Sequence, residues 1–341
     1  MEVSPVPVPG RDPRSLDAYT PTEVAQRVRT AGVEDARRGV VQTLALGLIG
    51  GSMLGLAAAA STAAMTETPA GYGLTRVVGG LVFGLGLALV MTGGGELFTS
   101  NNLISMAWVS RQVRTSELAL NWVVVYIGNA IGTASIPVLL HIGGAYGGGD
   151  DAFGGRALVT AAAKLGRGFE QEIALGIIGN TLVCMAVWLC FGARSTTDRI
   201  LACILPMAAL VALNADHVVA NLHYLTAGLL LRTDPGAVAA SGLDAEALEQ
   251  ISVMAALGNL GAVTIGNVIG GSVLVAAVYW FVYLRPADKA ARAAGEGPAA
   301  NADGSAVQAT TGDGPDHGSP PDGASGRDQP AAPDSDDDSS R

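Results

Sequence analysis

Long apolar runs separated by short polar joints make up most of this chain, at about residues 36–64, 75–110, 117–143, 172–193, 198–232 and 257–284. Each run reaches or approaches the ~20 residues that a helical bilayer crossing requires, so the pattern predicts six transmembrane helices. The second and fifth runs exceed one crossing, and each is interrupted by a polar knot. The first knot reads Gly93-Gly94-Gly95-Glu96-Leu97-Phe98-Thr99-Ser100-Asn101, and the second reads Asn214-Ala215-Asp216-His217-Val218-Val219-Ala220-Asn221. Such interruptions predict half-helices joined by non-helical backbone, which survives at membrane depth only when packed in protein or lining a cavity.

The order of segments repeats. Ala45-Leu46-Gly47-Leu48-Ile49-Gly50 returns as Ala174-Leu175-Gly176-Ile177-Ile178-Gly179, and Ile127-Gly128-Asn129-Ala130-Ile131-Gly132 returns as Ile265-Gly266-Asn267-Val268-Ile269-Gly270. The two repeats run about 36–143 and 172–284. Three crossings per repeat, an odd number, place the second copy upside down relative to the first. The expected fold is an all-α membrane protein with an inverted repeat (3+3) and broken second and fifth helices. Paired breaks at matching places mark a solute path near the midplane.

The composition agrees with a polytopic membrane protein: 49% of the 341 residues are hydrophobic and 15% charged. Residues 1–35 are polar and proline-bearing and read as a cytoplasmic N-terminal segment, whose stretch from Tyr19 to Thr30 suits an amphipathic helix. No cleavable leader is expected, so the first apolar run is kept as a span. The net charge of -10 says little about a partner, because residues 286–341 alone carry eleven acidic and four basic side chains. That Gly-, Ala-, Pro-, Ser- and Asp-rich stretch lacks the apolar surface to fold alone and reads as a disordered acidic cytoplasmic tail. The short joints at Arg37 and Arg38, Arg111 and Arg114, Arg194 and Arg199, and Arg285, Lys289 and Arg292 share one side. The positive-inside rule then puts both termini in the cytoplasm of a multi-pass cell-membrane protein. Cys184, Cys190 and Cys203 lie in apolar runs and form neither a disulfide framework nor a metal spacing.

Polar residues at the breaks are the candidate chemistry. His217 sits beside Asp216 at the break of the fifth run, and an ionisable group at that depth is a functional hypothesis by default. Its ordinary titration near neutrality suits exchange with a weak acid. Thr99 and Ser100 offer hydroxyls at the matching break. Glu96 and Asp216 align in the repeat and are expected to cap half-helix N-termini. Lys164 precedes the fourth run, where an ammonium would attract anions or snorkel at the interface, as Arg156 and Arg167 would. Phe83, Leu87, Leu97, Phe98 and Leu210 flank the breaks and are candidates for a dry constriction. No nucleophile-base pair, metal cluster or phosphate loop argues for an enzyme, and the dispersed arginines argue against nucleic-acid binding.

Several ordered motifs resemble the formate/nitrite transporter family over about residues 36–285: Gly95-Glu96-Leu97-Phe98-Thr99-Ser100, Val124-Val125-Tyr126-Ile127-Gly128-Asn129, Gly179-Asn180-Thr181-Leu182-Val183-Cys184-Met185-Ala186-Val187-Trp188, Asp216-His217-Val218-Val219-Ala220-Asn221 and Gly266-Asn267-Val268-Ile269-Gly270-Gly271. The resemblance implies an aquaporin-like six-helix protomer with its own pore, assembled as a homopentamer, without cofactor or ATP. It implies that the Leu97-Phe98-Thr99 loop faces the central His217. It also implies that Lys164, Asn180 and Asn267 are pore or substrate residues, and that Phe83 and Leu87 belong to the constriction. This chain departs at Leu210, where formate-type members carry an aromatic, and at Asp216, where glutamate is usual.

The function so implied is passage of a small monovalent weak acid, formate or nitrite, as the neutral acid or as anion plus proton. A bare anion in a dry apolar constriction lacks a partner for its charge, and the neutral acid avoids most of that cost. Two rivals are a water or small neutral-solute channel, although neither break carries Asn-Pro-Ala, and a haem-bearing membrane subunit with His141, His217 or His223 as axial ligands.

Overall fold

The computed structural model describes residues 18–293, and the regular structure among them is entirely helical. The acidic tail from residue 294 onward and the first 17 residues of the N-terminal segment lie outside the described residues. The chain opens with α1 (Pro21–Arg37), α2 (Val40–Ala64) and α3 (Gly71–Gly93). After a break come the short α4 (Phe98–Asn101) and α5 (Ser105–Val109), then α6 (Thr115–Ile142). The second half repeats this order with α7 (Ala152–Leu165), α8 (Phe169–Gly192), α9 (Thr196–Ala212), and, after the second break, α10 (Val218–Leu231). Two short helices, α11 (Pro235–Ser241) and α12 (Ala245–Gln250), lead to α13 (Val253–Val268). α13 continues through wider π-type turns into α14 (Arg285–Ala293).

Among the described residues, five helices are long and apolar enough to cross a membrane: 40–64, 71–93, 115–142, 169–192 and 253–290. The fifth expected run is divided between α9 and α10, of 17 and 14 residues, so neither half has the length of a crossing by itself. In the first half the break falls late, leaving α3 with 23 residues and only short helical pieces after it.

The structure lengthens each repeat by one element. α1 stands before α2 as α7 stands before α8, at one shared sequence spacing that also relates Leu46 to Leu175 and Gly50 to Gly179. Thr20 and Glu23 open α1 with a reciprocal capping box, in which the Glu23 carboxylate accepts from the Thr20 N–H at 2.6 Å. Val24, Ala25, Val28, Ala31 and Gly32 form the buried face of α1, and the Arg27 guanidinium donates to the Phe191 carbonyl at 3.1 Å. The amphipathic character expected around Tyr19 to Thr30 therefore extends through Arg37.

α2 packs along α6, α8 along α13 and α3 along α9. Without a difference in hydrophobicity between lipid and side chain, close approach has to come from small residues. Gly50 and Gly179 show this at the breaks, because a Cβ on either would overlap the carbonyl of Glu96 or of Asp216. Outward-facing apolar side chains remain, including Val41, Ile142, Leu205 and Met254. Cys190 Sγ lies 3.3 Å from Cys203 Sγ, so two thiols join α8 to α9 at a point that the sequence spacing did not single out.

Alanine at Gly50 or Gly179 is expected to lower stability by ~1–3 kcal/mol through overpacking against backbone that has no room to move. Gly258, with open space within 4 Å, is the matched control. Thermal unfolding of the detergent-purified variants checks this, with Gly258→Ala unfolding at or above the temperature of the native chain.

Candidate functional site

The two breaks are built alike, from the same set of hydrogen bonds. α3 ends with Gly94 in the left-handed region at φ +82°, and α9 ends with Asn214 there at φ +56°. These positions turn the chain out of each helix in the manner of a left-handed C-cap. The next N–H groups close back on the helix, Gly95 to Val90 at 3.2 Å and Ala215 to Leu210 at 3.0 Å. Glu96 N–H then bonds the Leu46 carbonyl and Asp216 N–H bonds the Leu175 carbonyl, each at 3.1 Å. Leu97 and His217 follow in extended conformation, and helix resumes at Phe98 and Val218.

One asparagine clamps each break. Asn129 Oδ1 accepts from Phe98 N–H at 2.8 Å, while its Nδ2 donates to the carbonyls of Gly47 and Glu96 at 2.7 and 2.8 Å. Asn267 repeats this with Val218 N–H at 2.9 Å and the carbonyls of Gly176 and Asp216 at 2.8 and 3.1 Å. Asn267, expected in the pore, is fully buried and spends its polar atoms on backbone. The signal for this role was present in the repeated Ile-Gly-Asn-x-Ile-Gly motif, although that motif marks the duplication before it reveals a clamp.

The break carboxylates bind side chains rather than capping helix ends, which differs from the expected role. Glu96 pairs with Arg38 and accepts from Asn101 Nδ2 at 2.8 Å. Asp216 pairs with both Lys164 and Arg167 and accepts from Asn221 Nδ2 at 3.3 Å. Asn101 and Asn221 also donate to the equivalent Asn121 and Asn259, at 3.0 and 2.9 Å. The physical reason for the altered role is burial. Both carboxylates are shut away from solvent, and an ionised group there needs a countercharge as well as hydrogen bonds. The N-cap of α10 is instead His217, whose Nδ1 accepts from Ala220 N–H at 3.2 Å.

The cations around the carboxylates break the symmetry. Arg38 and Arg167 are equivalent, but the position of Lys164 in α7 is held in α1 by Asp35, which pairs with Arg38 at 2.7 Å. Burial pushes the Asp35 carboxyl above the usual carboxylate range, with the adjacent Arg38 pulling the other way.

At the centre, His217 Nε2 lies 2.8 Å from Thr99 Oγ1. Because the Ala220 N–H occupies Nδ1, the proton of the neutral ring belongs on Nε2 and is donated to the threonine hydroxyl. The hydroxyl keeps its own proton to give elsewhere. Asn180 supports this pair from α8, donating to the Thr99 carbonyl at 3.2 Å and to the Asn267 carbonyl at 2.7 Å. Leu97 stands where the second half has His217, and Val219 where the first half has Thr99. A symmetric scaffold therefore holds an asymmetric polar centre.

His217 also lines a cavity of about 220 Å³, together with Phe83, Leu210, Lys164 and Tyr224. On the equivalent side of the first half, Asp35, Ser100 and Asn101 line a crevice of only about 20 Å³. The first volume holds a small solute with its water, whereas the second holds about one water molecule. Phe83 and Leu210 are thus at the cavity wall. Leu87 and Leu97 are buried in the core, and Phe98 packs edge-on against Trp122 and Tyr126, with centroids 5.9 and 5.1 Å away, fastening α4 to α6. His223 is a separate buried ring against Tyr224 on α10. Both nitrogens of His217 are engaged within the protein, which does not suit an axial haem ligand.

Comparison with known proteins gives a consistent picture. The profile of the formate/nitrite transporter family matches residues 22–281. The formate channel FocA of Escherichia coli (strain K12) is 35% identical over 277 residues, covering 80% of this chain and 97% of that protein. FocA of Haemophilus influenzae is 30% identical over 262 residues, covering 76% of this chain and 92% of the relative. Among solved structures, a pentameric formate channel with formate bound superposes with a TM-score of 0.67 at 34% identity, covering 72% of this chain and 98% of the other. An FNT family ion channel, at 21% identity and a TM-score of 0.65, covers 76% of this chain and 98% of its own and shares the fold.

Replacing Asn267 by leucine is expected to strand the Val218 N–H and two carbonyls, costing ~1–3 kcal/mol for each buried group left unpaired. The equivalent Asn129→Leu should behave alike, and thermal unfolding of both purified variants checks the equivalence.

Proposed function

The chain belongs to the formate/nitrite transporter family, and from that premise we propose that it passes formate, or the similarly small nitrite, across the cytoplasmic membrane as the neutral acid or together with a proton. The His217–Thr99 contact at the wall of the 220 Å³ cavity carries this reading. It sets a hydroxyl donor, with its orientation fixed by an imidazole, where a solute leaves the roomy, cation-lined side and enters apolar packing. Phe83 and Leu210 flank that entry. Desolvating an unpaired monovalent anion there costs several kcal/mol, about what a buried ion pays without a partner. Protonation removes most of that cost, and the neutral acid still accepts a hydrogen bond from Thr99.

His217 acts in this scheme as a positioning residue. Its Nε2–H fixes Thr99, and giving that proton away would leave an anionic ring, so the transported proton comes from water in the cavity. Lys164 and Arg167 hold Asp216, and through it the break that presents His217.

The functional unit in this reading is a homopentamer with one pore per protomer, like the formate-bound relative. The outward-facing apolar side chains meet lipid or neighbouring subunits. Residues 36–285 form the channel and residues 286–341 an acidic extension. The arginine-bearing end, with Arg37, Arg114, Arg194 and Arg285, faces the cytoplasm, following the bias of basic residues. The Lys164 cavity then opens on the outer side.

Proteoliposomes offered formate, nitrite, acetate, lactate and hydrosulfide, each with and without an inward proton gradient, test the proposal. Saturable flux of formate or nitrite that rises with the gradient is expected. Thr99→Ala should reduce it roughly 10-fold, the loss of a single hydrogen bond to a charged or polarised solute. Water or glycerol permeation without weak-acid flux would overturn the reading.

A further inference from the structure

The cavity wall contains four basic side chains, Arg76, Arg156, Lys164 and Arg167, and no acidic one. Two of the four are already spoken for. Lys164 and Arg167 both bind Asp216, so one carboxylate shares their charge from behind the wall. The other two have no such partner among the described residues. Arg76 donates Nη2 to the Val211 carbonyl and to Asn214 Oδ1, at 2.5 and 2.8 Å, which are neutral acceptors that leave its charge uncompensated. Arg156 has no side-chain bond to the described residues. The Nε atoms of both arginines are buried without a hydrogen-bond partner.

A buried guanidinium N–H without an acceptor is costly, and both arginines also line the same cavity with charge that no carboxylate among the described residues compensates. The planar fork of arginine matches the two oxygens of a carboxylate or of nitrite. We propose that Arg76 and Arg156 form a capture site for a small oxyanion in this cavity, one step before the His217–Thr99 pair and separate from the Lys164–Asp216–Arg167 cluster. The inference rests on the reading of the chain as an anion channel and deepens it. Lys164 neutralises the break, while the two arginines without a carboxylate partner gather the solute.

Such a site raises local anion concentration without taking part in the crossing, so its removal should raise KM and leave the maximal flux unchanged. It should also bind sulfate, which offers the same oxygens but is too strongly hydrated and too large to follow. The test uses the full chain in zwitterionic vesicles, with gluconate keeping ionic strength constant. In the native protein, sulfate added on the cavity side should compete with formate uptake. In Arg156→Gln, formate KM should rise roughly 3- to 10-fold with sulfate competition weakened in parallel, and Arg156→Lys should recover part of the loss. Arg114→Gln, removing a side chain that is 82% exposed elsewhere, should change neither.

A second readout needs no transport. Sulfate should raise the thermal unfolding temperature of the native protein in detergent, and not that of Arg156→Gln. A sulfate-dependent shift in a protein that moves no weak acid would keep the site and remove the channel reading. Formate flux with KM and sulfate competition unchanged in Arg156→Gln would keep the channel and overturn the site. Loss of the sulfate effects when anionic lipid is added would assign the arginines to a lipid phosphate and also overturn it.

Discussion

Backbone that leaves a helix inside a membrane must find hydrogen bonds within the protein, and this requirement organises the structure. Each break exposes N–H and carbonyl groups that no neighbouring turn can serve. Asn129 and Asn267 serve them with one side chain each, accepting from the first N–H of the resumed helix and donating to two carbonyls. The glycines nearby then become obligatory, since a helix supplying a carbonyl partner must come within reach. Gly50 and Gly179 let α2 and α8 do so. Once the breaks are fixed, the residue between turn and helix is fixed too, and His217 is presented to Thr99 by backbone held from three directions.

Much of this was legible before any coordinates. The duplicated glycine motifs, the two polar knots and their order sufficed for an inverted repeat with broken second and fifth helices that bring the knots together, whereas the choice of Thr99 over Ser100 as the partner of His217 rested on the family resemblance. What the sequence did not disclose were the long-range ion pairs within each repeat. Glu96 and Asp216 looked like helix caps because carboxylates beside a helix start usually are. Only the packing of α1 and α7 reveals that Arg38 and Arg167 reach them. Asn267 was expected in the pore because the family resemblance implied it, yet backbone demand consumes all of its polar atoms. The equivalence of α1 and α7 was hidden because their sequences share a spacing and little else. Amphipathic helices constrain which face is small and apolar far more than which residue fills it.

The duplicated frame also clarifies what the polar centre adds. Pseudo-symmetry alone would give the same side chain at both breaks, but Leu97 opposes His217 and Val219 opposes Thr99. One donor pair thus lies among apolar neighbours instead of two pairs competing for the solute. A solute held on both sides of the midplane would be trapped, since conduction depends on sites weak enough to leave. Asn180, placed where the first half has Gly51, adds rigidity to the pair from one side only.

The exchange of Lys164 for Asp35 carries the asymmetry outward to the two ends. Around Asp216 two cations face one carboxylate, whereas around Arg38 two carboxylates face one cation. The backbone is nearly the same when turned over, yet the charge fixed around the two breaks is reversed, with a net positive cluster at Asp216 and a net negative one at Arg38. For an anion, the path between the breaks resembles a semiconductor junction more than a uniform tube. The Lys164 cluster favours the charged form and the Asp35 cluster opposes it, whereas a carrier that sheds its charge by taking a proton is indifferent to both.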